Sequence, residues 1–166
     1  MTWAAKYNAV RNEKLMANVS ALLTRDFKPA LDVLNPGEDL DDFREKALGQ
    51  VKGLDYPCLG LSPRRGASSP SDDAARVGQA FHFDLQYGVT DDGPDTVTNR
   101  IMKYSSTMEA VLLAATKNDF FAGMPGQVFG FVVETEWEFG PFGIVKGVST
   151  LFRAAQMSVT ITVNAR

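Results

Sequence analysis

Apolar residues in the first third of the chain recur at three- and four-residue spacings. Leu15, Val19, Leu22, Leu23, Leu31 and Leu34 therefore fall on one face of a helix. Pro29 lies inside that segment and lacks a backbone donor, so it is expected to kink or split the helix. Asn35-Pro36-Gly37 is turn chemistry and ends it. Asp39, Asp41 and Asp42 then predict a second helix start, because acids suit the positive end of a helix dipole. Leu40, Phe43, Ala47, Val51 and Leu54 supply its apolar stripe, and Gly53 weakens its end.

The period changes at Tyr56. Tyr56-Pro57-Cys58-Leu59-Gly60-Leu61 reads as a short edge strand, since proline is tolerated mainly at edges and strand starts. Residues 62–78 hold Pro63, Pro70, Gly66, several serines, Arg64, Arg65 and Arg76, with Val77 the only large aliphatic. That composition predicts a long polar loop. Phe81, Phe83, Leu85, Tyr87 and Val89 alternate with His82, Asp84, Gln86 and Gly88, the pattern of a half-buried strand. Asp91-Asp92-Gly93-Pro94 predicts a turn and a helix start, with Pro94 at the first helical position. Val97, Ile101, Tyr104, Met108, Val111, Leu112 and Ala115 form the clearest helical stripe, broken by Asn118, Gly123, Pro125 and Gly126.

Two alternating strands close the chain. Phe129, Phe131, Val133, Trp137 and Phe139 alternate with Glu134, Glu136 and Glu138. After a Gly140-Pro141-Phe142-Gly143 connection, Ala155, Met157, Val159, Ile161 and Val163 alternate with Gln156, Ser158, Thr160 and Thr162. Alternation of this kind points to an antiparallel sheet with one covered face. The expected order is α-α-β-β-α-β-β. The fold class is α+β: a single, mainly antiparallel sheet of about four strands with helices packed on one face. One domain over residues 1–166 is expected, divided into a helical segment 1–55, the loop 62–78 and a strand-helix-strand-strand unit 79–166.

Charge and composition narrow the function. The 166 residues carry 17 Lys+Arg and 20 Asp+Glu, a net charge of -3, with no acidic or basic tail. Strong nucleic-acid binding by bulk charge is excluded. One cysteine excludes an intramolecular disulfide, and one histidine excludes zinc and iron sites built on several His ligands. Residues 1–15 lack the apolar run of a secretory signal, and no stretch reaches the roughly 18 apolar residues of a spanning helix. A soluble protein of the reducing cytoplasm, with no membrane partner, is expected.

Candidate chemistry is sparse. Gly123-Met124-Pro125-Gly126 and Gly140-Pro141-Phe142-Gly143 have neither the lysine nor the strand–helix context of a phosphate loop, and read as turns. His82 and Asp84 share one strand face, but no nucleophile elbow accompanies them. Cys58, in an apolar run, reads as a small hydrophobe. Glu134, Glu136 and Glu138 project from one face of one strand. A carboxylate pair for acid–base work needs groups from different elements flanking a substrate. A metal site needs further oxygen ligands nearby. A solvated sheet face, or an acidic lining turned toward something negative, fits better. Arg64, Arg65 and Arg76 suit a loop that contacts a neighbouring subunit, a phosphate or an acidic partner, or that simply aids solubility.

The arrangement as a whole resembles the tail terminator (tail completion, or neck) proteins of long-tailed bacteriophages. The resemblance is carried by residues 56–61, by Phe81-His82-Phe83-Asp84-Leu85-Gln86-Tyr87-Gly88-Val89, by the helix after Asp91-Asp92-Gly93-Pro94, and by the two final strands. It covers roughly residues 10–166, with a longer helical start and a longer 62–78 segment than the smallest members. It implies a non-enzymatic structural protein of the virion neck, without cofactor or metal. Such proteins form a ring, commonly a hexamer, on the head-proximal end of the tail tube. The ring stops tube polymerisation, docks the filled head through a connector or head-completion protein, and lets genomic double-stranded DNA pass without sequence-specific contact. In that setting Glu134, Glu136 and Glu138 are expected to face the lumen, and Arg64, Arg65 and Arg76 a neighbouring subunit or partner. The alternatives are another neck component (a head-closure or connector adaptor protein), a small-molecule binding module lined by Phe81, Phe83, Phe129, Phe131 and Trp137, and a small hydrolase using His82 or the glutamate strand.

Overall fold

The computed structural model describes residues 11–49, 55–70, 77–124, 128–145 and 150–165. Helix α1 spans Asn12–Leu34 and buries Leu15, Val19, Leu22, Leu23, Phe27 and Leu31 along one face. It continues through Pro29 instead of splitting there. Pro29 is exposed, so the hydrogen bond it cannot make is lost on the solvent side of the helix, where the cost is smallest. Leu34 falls past the core and is 52% exposed. Asn35 closes the helix, its backbone N–H and its side-chain amide both donating to Leu31 O.

The second helix does not form. Leu40 and Phe43 are buried as the stripe required, but Glu45–Leu48 is strand β1. It pairs in parallel with β2, Cys58–Pro70. Phe43 stacks on Phe27 at 4.5 Å and meets Tyr104 edge-on at 5.4 Å. The Tyr104 hydroxyl donates to the Asp41 carbonyl. Arg44 N–H donates to Pro57 O at 2.8 Å and Gly49 N–H to Leu61 O at 2.7 Å. Asp41 and Asp42 pair with Arg44 and Lys46 and start no helix. Anchored rings and a waiting strand edge outweigh the local helix signal. Val51, Gly53 and Leu54 lie outside the described residues.

Two further expectations change. Residues 56–61 were expected at an edge, yet β1 covers residues 58–61, so this stretch is interior to the sheet. Most of the expected loop 62–78 is also strand. β2 runs on to Pro70 and pairs antiparallel with β3, Val77–Asp91, with a bulge between Pro63 and Arg65. Beyond residue 61 no described strand pairs with the outer side of β2, and an unpaired edge is where prolines are tolerated in a sheet. Residues 71–76, Arg76 among them, lie outside the described set.

Pro94–Ala114 forms helix α2, with Pro94 at its start, and buries Val97, Ile101, Tyr104, Met108, Val111 and Leu112. A short helix α3, Lys117–Phe121, follows where the sequence predicts only breakers. Thr116 caps it, and the Asp119 carboxylate accepts from both the Thr116 hydroxyl and its N–H. Those bonds, with Arg25 of α1 at 2.9 Å, hold the Asp119 carboxyl down at about 2. Strands β4, Val128–Ile144, and β5, Leu151–Ala165, complete a five-stranded sheet of order β1-β2-β3-β5-β4. Every pairing except β1–β2 is antiparallel. The α+β class holds, with one strand more than expected.

Gly140 to Gly143 is part of β4 and no connection. A bulge between Phe139 and Phe142 absorbs the extra residues. Arg153 of β5 fixes this stretch: its Nε donates to Gly140 O at 3.2 Å, and its guanidinium lies 4.6 Å from the Phe142 ring centre. A side chain at position 143 would collide with the Phe152 ring, at 2.0 Å from its Cβ, so glycine is required there.

The core lies between the helices and one sheet face. Phe81, Phe83, Leu85, Tyr87 and Val89 of β3 and Ala155, Met157, Val159, Ile161 and Val163 of β5 all point into it. Trp137 does not follow its strand into the core; it is 43% exposed on β4.

Candidate functional site

Because side chains alternate along a strand, burying the odd positions of β3 and β5 turns their even positions to the opposite face. No described helix covers that face. The register arranges it in rungs across four strands. Glu134 of β4 lies opposite Thr160 of β5, which lies opposite His82 of β3, which lies opposite Arg65 of β2. On the next rung Glu136 meets Ser158, which meets Asp84, which meets Ser62. Arg64 sits in the bulge beside this rung and reaches over it.

The result is a polar groove of about 490 Å³ lined by Arg64, Arg65, His82, Asp84, Glu134 and Glu136. Ser158 Oγ donates to the Asp84 carboxylate at 2.8 Å. Arg64 lies 3.7 Å from the same carboxylate and donates weakly to Ser158 Oγ at 3.4 Å. His82 Nδ1 is 2.9 Å from Thr160 Oγ1. The imidazole and the serine are thus engaged on separate rungs, His82 with threonine and Ser158 with aspartate. A nucleophile–His–Asp relay would need Ser158 on the imidazole.

The structure therefore gathers residues that the sequence treats separately. Glu134, Glu136 and Glu138 share one face and are all exposed. Arg64 and Arg65 belong to a strand, not a loop, and come to the same face. Ser158 and Thr160, the hydroxyls that join the rungs, were legible only as polar positions in an alternating strand.

Higher on the same face lies a second recess of about 380 Å³, bounded by Tyr56, Cys58, Gly88, Phe139, Gly140 and Ala154 among others. Its floor is small because Gly88 lies opposite both Cys58 and Ala154. The Tyr56 ring lies over Gly88 and stacks on Phe152 with ring centres 6.0 Å apart. Cys58 is buried beneath, and burial pushes its thiol up to about 11.

Along its edges the sheet is unfinished. The outer edge of β4 pairs with no described strand, and neither does that of β2 beyond residue 61. Val132, Trp137, Phe142 and Ile144 are all large, apolar and exposed on β4.

The fold is similar to that of a chain in a solved structure described as the virion of a native gene transfer agent particle. The match covers 90% of this chain and 93% of that one, with a TM-score of 0.51 and 14% sequence identity. At that identity the likeness is one of fold. No family model matches the sequence, and no curated protein matches it.

Tyr56 and the buried Cys58 both lie against Gly88, which predicts that the ring shields the thiol. A Cβ at position 88 would stand 2.9 Å from the Tyr56 ring and 3.4 Å from Cys58 Sγ. Native Cys58 is expected to resist a thiol reagent at pH 8, reacting only on denaturation. Gly88→Val should displace Tyr56, cost about 1–3 kcal/mol and speed labelling several-fold. Equal labelling rates in the two folded proteins would show that Tyr56 is not the shield.

Proposed function

We propose that this chain is a structural protein of a virion. In the specific reading it is a tail terminator subunit, placed at the neck on the head-proximal end of the tail tube. Copies form a ring, a hexamer in this reading, that ends tube polymerisation and offers a docking surface to a connector or head-completion protein. Genomic double-stranded DNA passes through the ring without sequence-specific binding.

The observation that carries this reading is the fold correspondence with a chain of the gene transfer agent virion particle, which extends over 90% of this chain and 93% of that one. The sheet supports it physically. A helix-covered face and an uncovered polar face give a subunit with an outside and an inside. Two open edges give it neighbours, since contacts between unlike surfaces generate rings when the rotation closes.

The polar face is the one that fits a lumen. Glu134, Glu136 and Glu138 stand exposed on it, while Arg64 is drawn toward Asp84 and Ser158. Carboxylates repel phosphates, so a lining of this kind keeps DNA sliding instead of sticking. At physiological ionic strength the repulsion acts over about 8 Å. Arg64 and Arg65, with Arg76 outside the described residues, then serve contacts with a neighbouring subunit or partner.

Two experiments test the reading. Tagged protein should retain purified tail tube protein in a pull-down. Retention of portal or adaptor protein instead would move the chain to a head-closure or connector position. Particles carrying Glu134→Gln, Glu136→Gln and Glu138→Gln together, selected for a complete neck ring, should eject DNA more slowly at low salt, with the difference fading as salt rises. An unchanged rate and salt dependence would remove these glutamates from the lumen.

A further inference from the structure

Resting on the ring reading, we propose that copies of this chain join edge to edge, the outer edge of β4 in one copy adding to the open edge of β2 in the next. Among the described residues the two edges are unpaired, and they lie at opposite sides of the same sheet. An unpaired strand edge presents a row of backbone donors and acceptors that another strand can satisfy.

The edges differ in charge, and that selects the pairing. β4 carries Glu134, Glu136 and Glu138. The open stretch of β2 carries Arg64 and Arg65, and Arg64 keeps 62% of its side chain exposed despite Asp84 nearby. A β4–β4 contact would set glutamates against glutamates, which is unfavourable across a strand pair. A β4–β2 contact sets these three carboxylates against two arginines, which favours the pairing and still leaves the seam net negative toward the lumen. It is also head-to-tail, so the same contact repeats from copy to copy, as a ring requires.

Two features limit where the strands meet. Pro63 and Pro70 bracket residues 64–69 of β2 and cannot donate to a new ladder. The window is six residues, comparable to residues 132–138 of β4, where the glutamates lie. Val132 and Trp137, at 59% and 43% exposure, fall within that second stretch and would be covered by the contact. Large apolar side chains exposed along an open edge are what an interface would bury.

The test is a charge swap read by sedimentation velocity. One variant carries Glu134→Lys, Glu136→Lys and Glu138→Lys; the other carries Arg64→Glu and Arg65→Glu. Each alone should weaken assembly by about tenfold or more, because every contact in its ring sets like charges together. Mixing the two should restore oligomers, since the altered β4 of the first fits the altered β2 of the second. Melting curves matching the parent show that each variant is folded; where one is not, the corresponding Gln variants and their salt dependence replace it. Variants that assemble like the parent, or a mixture that stays dissociated, overturn the edge pairing and leave the ring intact. A parent chain that remains monomeric at every concentration, and beside tail tubes as well, overturns both.

Discussion

Leu85 opposite Met157 and Phe83 opposite Val159, all buried, lock β3 to β5 in a single register. A one-residue slip of β3 would carry Phe83 and Leu85 to solvent and bring His82 and Asp84 into the core; a slip of β5 would exchange Met157 and Val159 for Ser158 and Thr160 in the same way. Burying a charged or hydrogen-bonding group without a partner costs several kcal/mol, so the register is strongly held. Everything on the uncovered face follows from it. The rungs linking β4, β5, β3 and β2 exist because the central pair cannot shift. The groove is polar because its members are the positions that the core excludes.

Helices reinforce that arrangement from the other side. Asn18 of α1 donates to the carbonyls of Phe120 and Ala122, and Arg25 pairs with Asp119, so α3 is tied to α1. Thr135 of β4 donates to Glu109 of α2 at 2.8 Å. Arg153 of β5 reaches Thr98 of α2 at 2.8 Å while it holds the bulged end of β4. The outermost strand is therefore tied to the helical layer even though no described strand pairs with its outer edge. That combination fixes the geometry of the outer edge of β4 relative to the helices, which suits the edge contact proposed above.

Where one face of an element meets the core, its periodicity was legible in the sequence. The stripes of α1 and α2 and the alternation of β3 and β5 are of this kind. The 39–54 segment was misread because Leu40 and Phe43 satisfy a helix spacing and a buried extended turn equally well. Only the partners, Phe27, Tyr104 and the edge of β2, decide between them. Residues 62–70 look like loop because prolines, serines and glycine have low strand propensity. Pairing with β3 overrides that, and an open outer edge makes the prolines tolerable. The acidic row was visible on β4, but its opposition to Arg64 and Arg65 was not. Those arginines lie some seventy residues away and meet it only through two intervening strands.

Tail tubes grown from purified tube protein, with and without this chain, and imaged by negative stain give the most direct measurement of the proposed role. A terminator caps one end of each tube with a ring and shortens the tubes as its concentration rises. Tubes that reach the same length with bare ends, at any concentration of the protein, would contradict it.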